Sequence, residues 1–140
     1  MRMLVLGSLF VVLCLCSGCG SNATHISGNV TYDGKSIEEG TIEFIPIEGT
    51  TGPSTGADIK LGHYECSQDT ALARGGRYQV RISALAKTGK TTPNIVMPGG
   101  PPLAISQNYI PAKYNSNSTL TVTLSNDSAE NTFDFQLQSK

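Results

Sequence analysis

From Ile26 onward, in every run outside residues 86–117, apolar residues of this chain recur at every second position, and that period argues against a helical fold. Ile26, Gly28, Val30 and Tyr32 alternate with Ser27, Asn29 and Thr31, and Asp33-Gly34 then signals a turn. Ile42 and Phe44 alternate with Thr41 and Glu43; Ala57, Ile59 and Leu61 with Asp58 and Lys60. After Gly62, Tyr64 and Cys66 alternate with His63 and Glu65. Tyr78, Val80 and Ile82, then Leu120, Val122 and Leu124, then Phe133, Phe135 and Leu137 repeat the pattern. Each run is a short strand with one apolar face, because side chains alternate across a strand. Only "QDTALARGG" (68–76) could hold a short helical turn.

About seven such strands joined by Gly-rich turns predict an all-β fold, an antiparallel sandwich with two sheets sharing one core. Ile26, Val30, Ile42, Phe44, Tyr64, Val80, Ile82, Val122, Phe133 and Phe135 are the expected core. At roughly 1.5–3 kcal/mol per fully buried large side chain, they offset the ordering cost without a disulfide. Residues 86–117 break the pattern: they hold five of the seven prolines and no clear strand beyond a short run near Ala104–Gln107. The reading there is a long Pro/Gly-rich loop, whose "QNYIPAKYN" (107–115) packs back on the sandwich.

The N-terminus is of another kind. Arg2 precedes an apolar run from Leu4 to Leu15, too short for a permanent membrane span. Ser17-Gly18 then precedes Cys19. An apolar segment, two small residues and a cysteine resemble the lipobox of bacterial lipoproteins. That resemblance implies a signal peptide over 1–18, a lipid on Cys19, a tether over 19–25 and a sandwich domain over 26–140. Small residues admit an extended backbone to a protease, and the cysteine sulfur forms the thioether. The position three before Cys19 is Cys16 where the lipobox usually has Leu. An ordinary secretory cut between Ser17 and Asn22 is the alternative. Gly20 follows Cys19 where inner-membrane retention calls for Asp, which favours the outer membrane within the cell envelope. After cleavage, Cys66 is the one thiol left besides Cys19, so no internal disulfide is expected.

Charge narrows the partners. The net charge is −1 and only 15% of residues are charged, which argues against nucleic acid.

Five stretches carry a family resemblance. "SGNVTYDGKSIEEGTIEFIP" (27–46) resembles the opening of transthyretin-like, carboxypeptidase-regulatory-type domains through Gly28, Val30, Asp33, Gly34, Gly40, Ile42, Phe44 and Pro46. Ser36 stands where that family usually has Pro. "GADIKLGHYEC" (56–66) and "GGRYQVRI" (75–82) resemble its second and third blocks. With "IPAKYN" (110–115) and "FDFQL" (133–137), the chain is similar to small lipoproteins abundant in planctomycetes. The resemblance implies a prealbumin-like seven-stranded sandwich on a lipid anchor, and no reaction.

No motif supplies chemistry. His25 reads as tether, and His63 and Cys66 point to opposite faces of one strand. A zinc site needs three or four ligands, so no metal and no cofactor are expected. Two enzyme families share the implied fold. Hydroxyisourate hydrolases end in Tyr-Arg-Gly-Ser, whereas this chain ends "FQLQSK". Intradiol dioxygenases use two Tyr and two His, which nothing here groups. The candidate contact residues are Arg77 and Arg81, facing outward from one strand, and Tyr109, Lys113 and Tyr114. The arginines are either a solvated face or a site for an anionic polymer or headgroup. The tyrosines are either core or an exposed aromatic patch that meets a glycan or a protein. The reading is a non-catalytic interaction or structural module of the cell envelope, held to the membrane by Cys19, with a carbohydrate-binding module as the alternative. Intact-mass analysis of the membrane fraction should show a chain beginning at Cys19 with diacyl or triacyl mass; an unmodified N-terminus elsewhere contradicts the anchor.

Overall fold

The computed structural model describes residues 24–67, 72–126 and 130–140; the signal-peptide region and Cys19 lie outside them. Among the described residues eleven strands follow one another: β1 (His25–Tyr32), β2 (Lys35–Ser36), β3 (Glu39–Ile47), β4 (Thr55–Lys60), β5 (His63–Ser67), β6 (Arg77–Ser83), β7 (Leu85–Thr92), β8 (Leu103–Asn108), β9 (Thr121–Thr123), β10 (Glu130–Thr132) and β11 (Phe135–Leu137). One 3₁₀ turn spans Ala112–Tyr114. The fold is all-β, and seven of these strands are those the alternation marks. Among the described residues no helix is long and apolar enough to cross a membrane.

The main sheet runs β10-β1-β5-β4-β3-β6-β9 and curls on itself. β1 belongs to two layers. Its first half, His25–Asn29, pairs antiparallel with β5, while its last residues pair with β2 on one side and β11 on the other. Pairing is antiparallel except along β1, where β10 and β11 both run parallel to it. Gly28 sits at the changeover. A Cβ there would lie 1.9 Å from the Phe133 carbonyl oxygen, so only glycine allows the approach. The Phe133 N–H donates to Ser27 O (2.9 Å), and the Tyr64 hydroxyl donates to Phe133 O (2.8 Å). β11 is thereby locked over β1.

Two turns set the registers. Asp33 (φ 47°) and Gly34 (φ 76°) form the two-residue turn between β1 and β2, and Leu61 (φ 51°) and Gly62 (φ 82°) join β4 to β5 in the same way. Positive φ at both central residues matches strand twist. Leu61 therefore leaves the alternation and stands exposed at the turn.

The core lies between the layers. Ile26 and Val30, Ile42 and Phe44, Ile59, Tyr64, Tyr78, Val80 and Ile82 are all essentially inaccessible. Tyr64 stands at its centre, with ring centroids 6.0 Å from Phe44 and 6.3 Å from Phe135. Burial, then Cys66 and Asp134, push its hydroxyl above the ordinary tyrosine range. Of the expected core, Val122 and Phe133 are only partly buried, and Ile37, Ile110, Leu124 and Leu137 join it from turns and chain ends.

Two boundaries need correction. His25 is no tether residue: it opens β1, aligned with Glu130 and Ser67, and the preceding Thr24 is buried. Residues 86–117 are not one long loop, and the short run near Ala104–Gln107 falls within β8. β7 and β8 pair antiparallel as a separate two-stranded ribbon; 93–102 at its tip is irregular, and 109–117 after it holds the 3₁₀ turn.

Gly28→Ala should cost about 3 kcal/mol or prevent folding, because backbone must move to admit the methyl group. Gly34→Ala, with open space at its Cβ, should cost only the left-handed penalty of about 1 kcal/mol. Denaturant titration of both variants checks this; equal losses would contradict the close approach.

Candidate functional site

Registers sort the candidate residues between the two ends of the sandwich. Asn29 aligns with His63, Lys60 with both His63 and Glu39, and Thr41 with Ser83. Those positions and the base of the ribbon share the end where β1 finishes. His25 aligns with Ser67 and Ile47 with Arg77, at the end where β1 begins.

The ribbon base is built by Asn108. Its Oδ1 accepts from Ala84 N and from Ile110 N, each at 3.1 Å, so one side chain holds the strand leaving the sandwich and the strand returning. The next residue, Tyr109, donates its N–H to Ala84 O (3.1 Å). Its ring meets Tyr32 edge to face, with centroids 5.7 Å apart and planes at 60°. It stays 39% exposed. Burial, then Glu38, then Tyr32, raise its hydroxyl above the ordinary range. Beside it runs an open groove of about 830 Å³, lined among others by Tyr32, Glu38, Lys60, Leu85, Lys87 and Tyr109.

Lys113 and Tyr114 have another task. Lys113 Nζ donates to Lys140 O (2.8 Å) and lies 5.0 Å above the Tyr114 ring. The Tyr114 hydroxyl accepts from Gln138 N (3.1 Å), and the half-buried ring packs against the core. This pair ties the C-terminal strand to the 3₁₀ turn. The aromatic patch read from sequence therefore divides: Tyr114 is structural and Tyr109 faces solvent.

The arginines also separate. Four residues apart on β6, they stand about 13 Å from each other along the strand. Arg77 Nη1 pairs with Glu48 Oε2 (2.6 Å), while its N–H donates to Thr50 Oγ1 (2.8 Å). That pair is exposed and stabilises little. Arg81 lies opposite Glu43 and faces a hollow shared with Thr41, Ser83, Asn115 and Ser116. Its Nε is buried and unpartnered. No shared anion site arises from the two.

His25 Nε2 lies 2.9 Å from Glu65 Oε1 on the neighbouring strand. His63 is exposed, and Cys66 is 2% exposed with its thiol pushed up to about 11 by burial. That thiol stays protonated and shielded, the opposite of a reactive cysteine. Among the described residues, no three His, Cys, Asp or Glu side chains converge as metal ligands. Sequence reasoning missed Asn108, Tyr32 and the groove. The Asn-Tyr pair after an apolar stretch was the one available signal.

No protein-family model and no curated protein matches the chain. Among solved structures, a 9R-lipoxygenase from Cyanothece PCC8801 is similar over 84% of this chain, with a TM-score of 0.39 and 11% identity. The chain spans 16% of that protein's length.

Tyr114→Ala should lower stability by about 2 kcal/mol, through lost packing of its half-buried ring against the core and loss of its contact with Lys113. Tyr109→Ala should cost under about 1 kcal/mol, as surface changes do. Thermal unfolding of both checks the division; a larger loss at Tyr109 would contradict it.

Proposed function

We propose that this chain is a lipid-anchored, transthyretin-like module of the cell envelope that acts by binding rather than by catalysis. The lipobox-like run ending at Cys19 supports the anchor, and the all-β sandwich from His25 onward suits a domain held just outside a membrane. The observation that carries the interaction reading is the exposed Tyr109 beside an open groove at the end of the sandwich opposite His25. An aromatic ring held edge to face against Tyr32 is a rigid anchor that loses little entropy on binding. Anchoring confines the domain to a surface, so a weak interaction gains from high effective concentration.

A second reading has its own support. An aromatic ring flanked by Glu38 and Lys60 offers the stacking face and hydrogen-bonding groups that a sugar ring uses, so an envelope glycan fits the same groove.

The test is crosslinking of the tagged chain in cells, with Tyr109→Ala as the comparison. One or a few envelope proteins enriched with the parent chain and lost with the variant support a protein partner. Glycan fragments with the same dependence support the second reading. Equal recovery with both chains contradicts the groove as the binding site.

A further inference from the structure

The β7–β8 ribbon is unlike the rest of the molecule. Every residue of β7 is exposed, and β8 is exposed up to its last residue. Its tip, 93–102, carries three consecutive aliphatic residues: Ile95 and Val96 are each 86% exposed and Met97 63%. All three side chains are exposed together on one short bend, far more apolar surface than a loop tip in water usually shows. An apolar phase surrounding the tip covers all three.

Four of the ten tip residues are prolines, and three of the six remaining N–H groups are bonded within the tip. Pro93, Pro98, Pro101 and Pro102 have no N–H. Asn94 Oδ1 accepts from Val96 N (3.1 Å) and Met97 N (2.9 Å), and Gly100 N donates to Met97 O (2.9 Å). Asn94 Nδ2 closes the loop on Pro101 O (3.3 Å). An unpaired donor is costly in an apolar phase, so these prolines and internal bonds lower the cost of entry into one.

Charge names the phase. Between Leu85 and Asn108 the charged residues are Lys87 and Lys90, with no acid, while the chain as a whole is net −1. The ribbon and the remainder thus carry opposite signs. Lys90 stands a few residues behind the tip, about the depth of a headgroup layer when the tip lies 5–10 Å into the acyl boundary.

We propose that the ribbon tip is a membrane-inserting element: Ile95, Val96 and Met97 enter the acyl boundary of a bilayer, and Lys87 and Lys90 lie among anionic phospholipid headgroups. The inference rests on the ribbon alone and needs neither the groove nor the lipid on Cys19. A chain also held at residue 19 lies with the long axis of the sandwich along the bilayer, since the ribbon base and His25 stand at opposite ends.

The test places a benzophenone amino acid at position 96 of the full chain, with position 121 of β9 as the exposed control. The chain is irradiated with vesicles of equimolar phosphatidylcholine and phosphatidylglycerol, and adducts are read by mass spectrometry. Phospholipid adducts at 96 should exceed those at 121 about tenfold, and Lys87→Glu with Lys90→Glu should lower them about tenfold. Ile95→Ser with Met97→Ser should abolish the excess. Equal adducts at the two positions overturn the proposal. So does irradiation of isolated envelopes that gives protein adducts at 96 and no lipid.

Discussion

One close approach organises this molecule: the backbone of Gly28 against the carbonyl of Phe133. It lets β1 serve as a strand of the main sheet in its first half and as the middle of the β2-β1-β11 layer in its last residues. Strands that pass between layers turn the corners of sandwiches, and they need a bend that side chains obstruct. Here the bend is occupied by the backbones of Gly28 and Phe133 and by the Tyr64 hydroxyl. The Tyr64 hydroxyl gives the Phe133 carbonyl its partner, so a buried polar atom is satisfied at the point of tightest packing. Tyr64 in turn holds Phe44 and Phe135 from either layer. Without the glycine, β11 could not close over the core.

The same strand divides the protein into two working ends. At one stands His25, first residue of β1 and six positions after Cys19. At the other stand the Tyr109 groove and the ribbon. A two-stranded ribbon with no buried face has little stability of its own. It is held instead at its base, where Asn108 bonds both Ala84 and Ile110, and Ile110 is itself buried. The sandwich thus supplies the rigidity, and the ribbon and groove supply surface.

What the sequence made legible follows from burial. Seven strands could be read because each has one buried face, and alternation is the record of that face. The ribbon could not, because LAKTGKTT buries nothing and therefore alternates nothing. Its proline-rich tip reads as a loop from composition, although Asn94 orders it. β2 and β10 are too short to leave a period. The opposite faces of His63 and Cys66 were legible for the same reason as the strands. The candidate site was legible only in part. Tyr109, Lys113 and Tyr114 are adjacent in sequence, but their partners Tyr32, Lys140 and Gln138 come from remote segments. Likewise the Glu48 partner of Arg77 belongs to the turn after β3, which no local pattern connects to β6.

Native-state hydrogen exchange tests the central claim most directly. If β1 keys both layers, the amides of Val30, bonded to Gly62, and of Phe133, bonded to Ser27, exchange only through global opening. The ribbon amides of β7 and β8 should exchange orders of magnitude faster, opening on their own above the Asn108 clamp. Equal protection in ribbon and sandwich, or early exchange at Val30 and Phe133, would contradict an account in which one shared strand holds the fold and the ribbon merely projects from it.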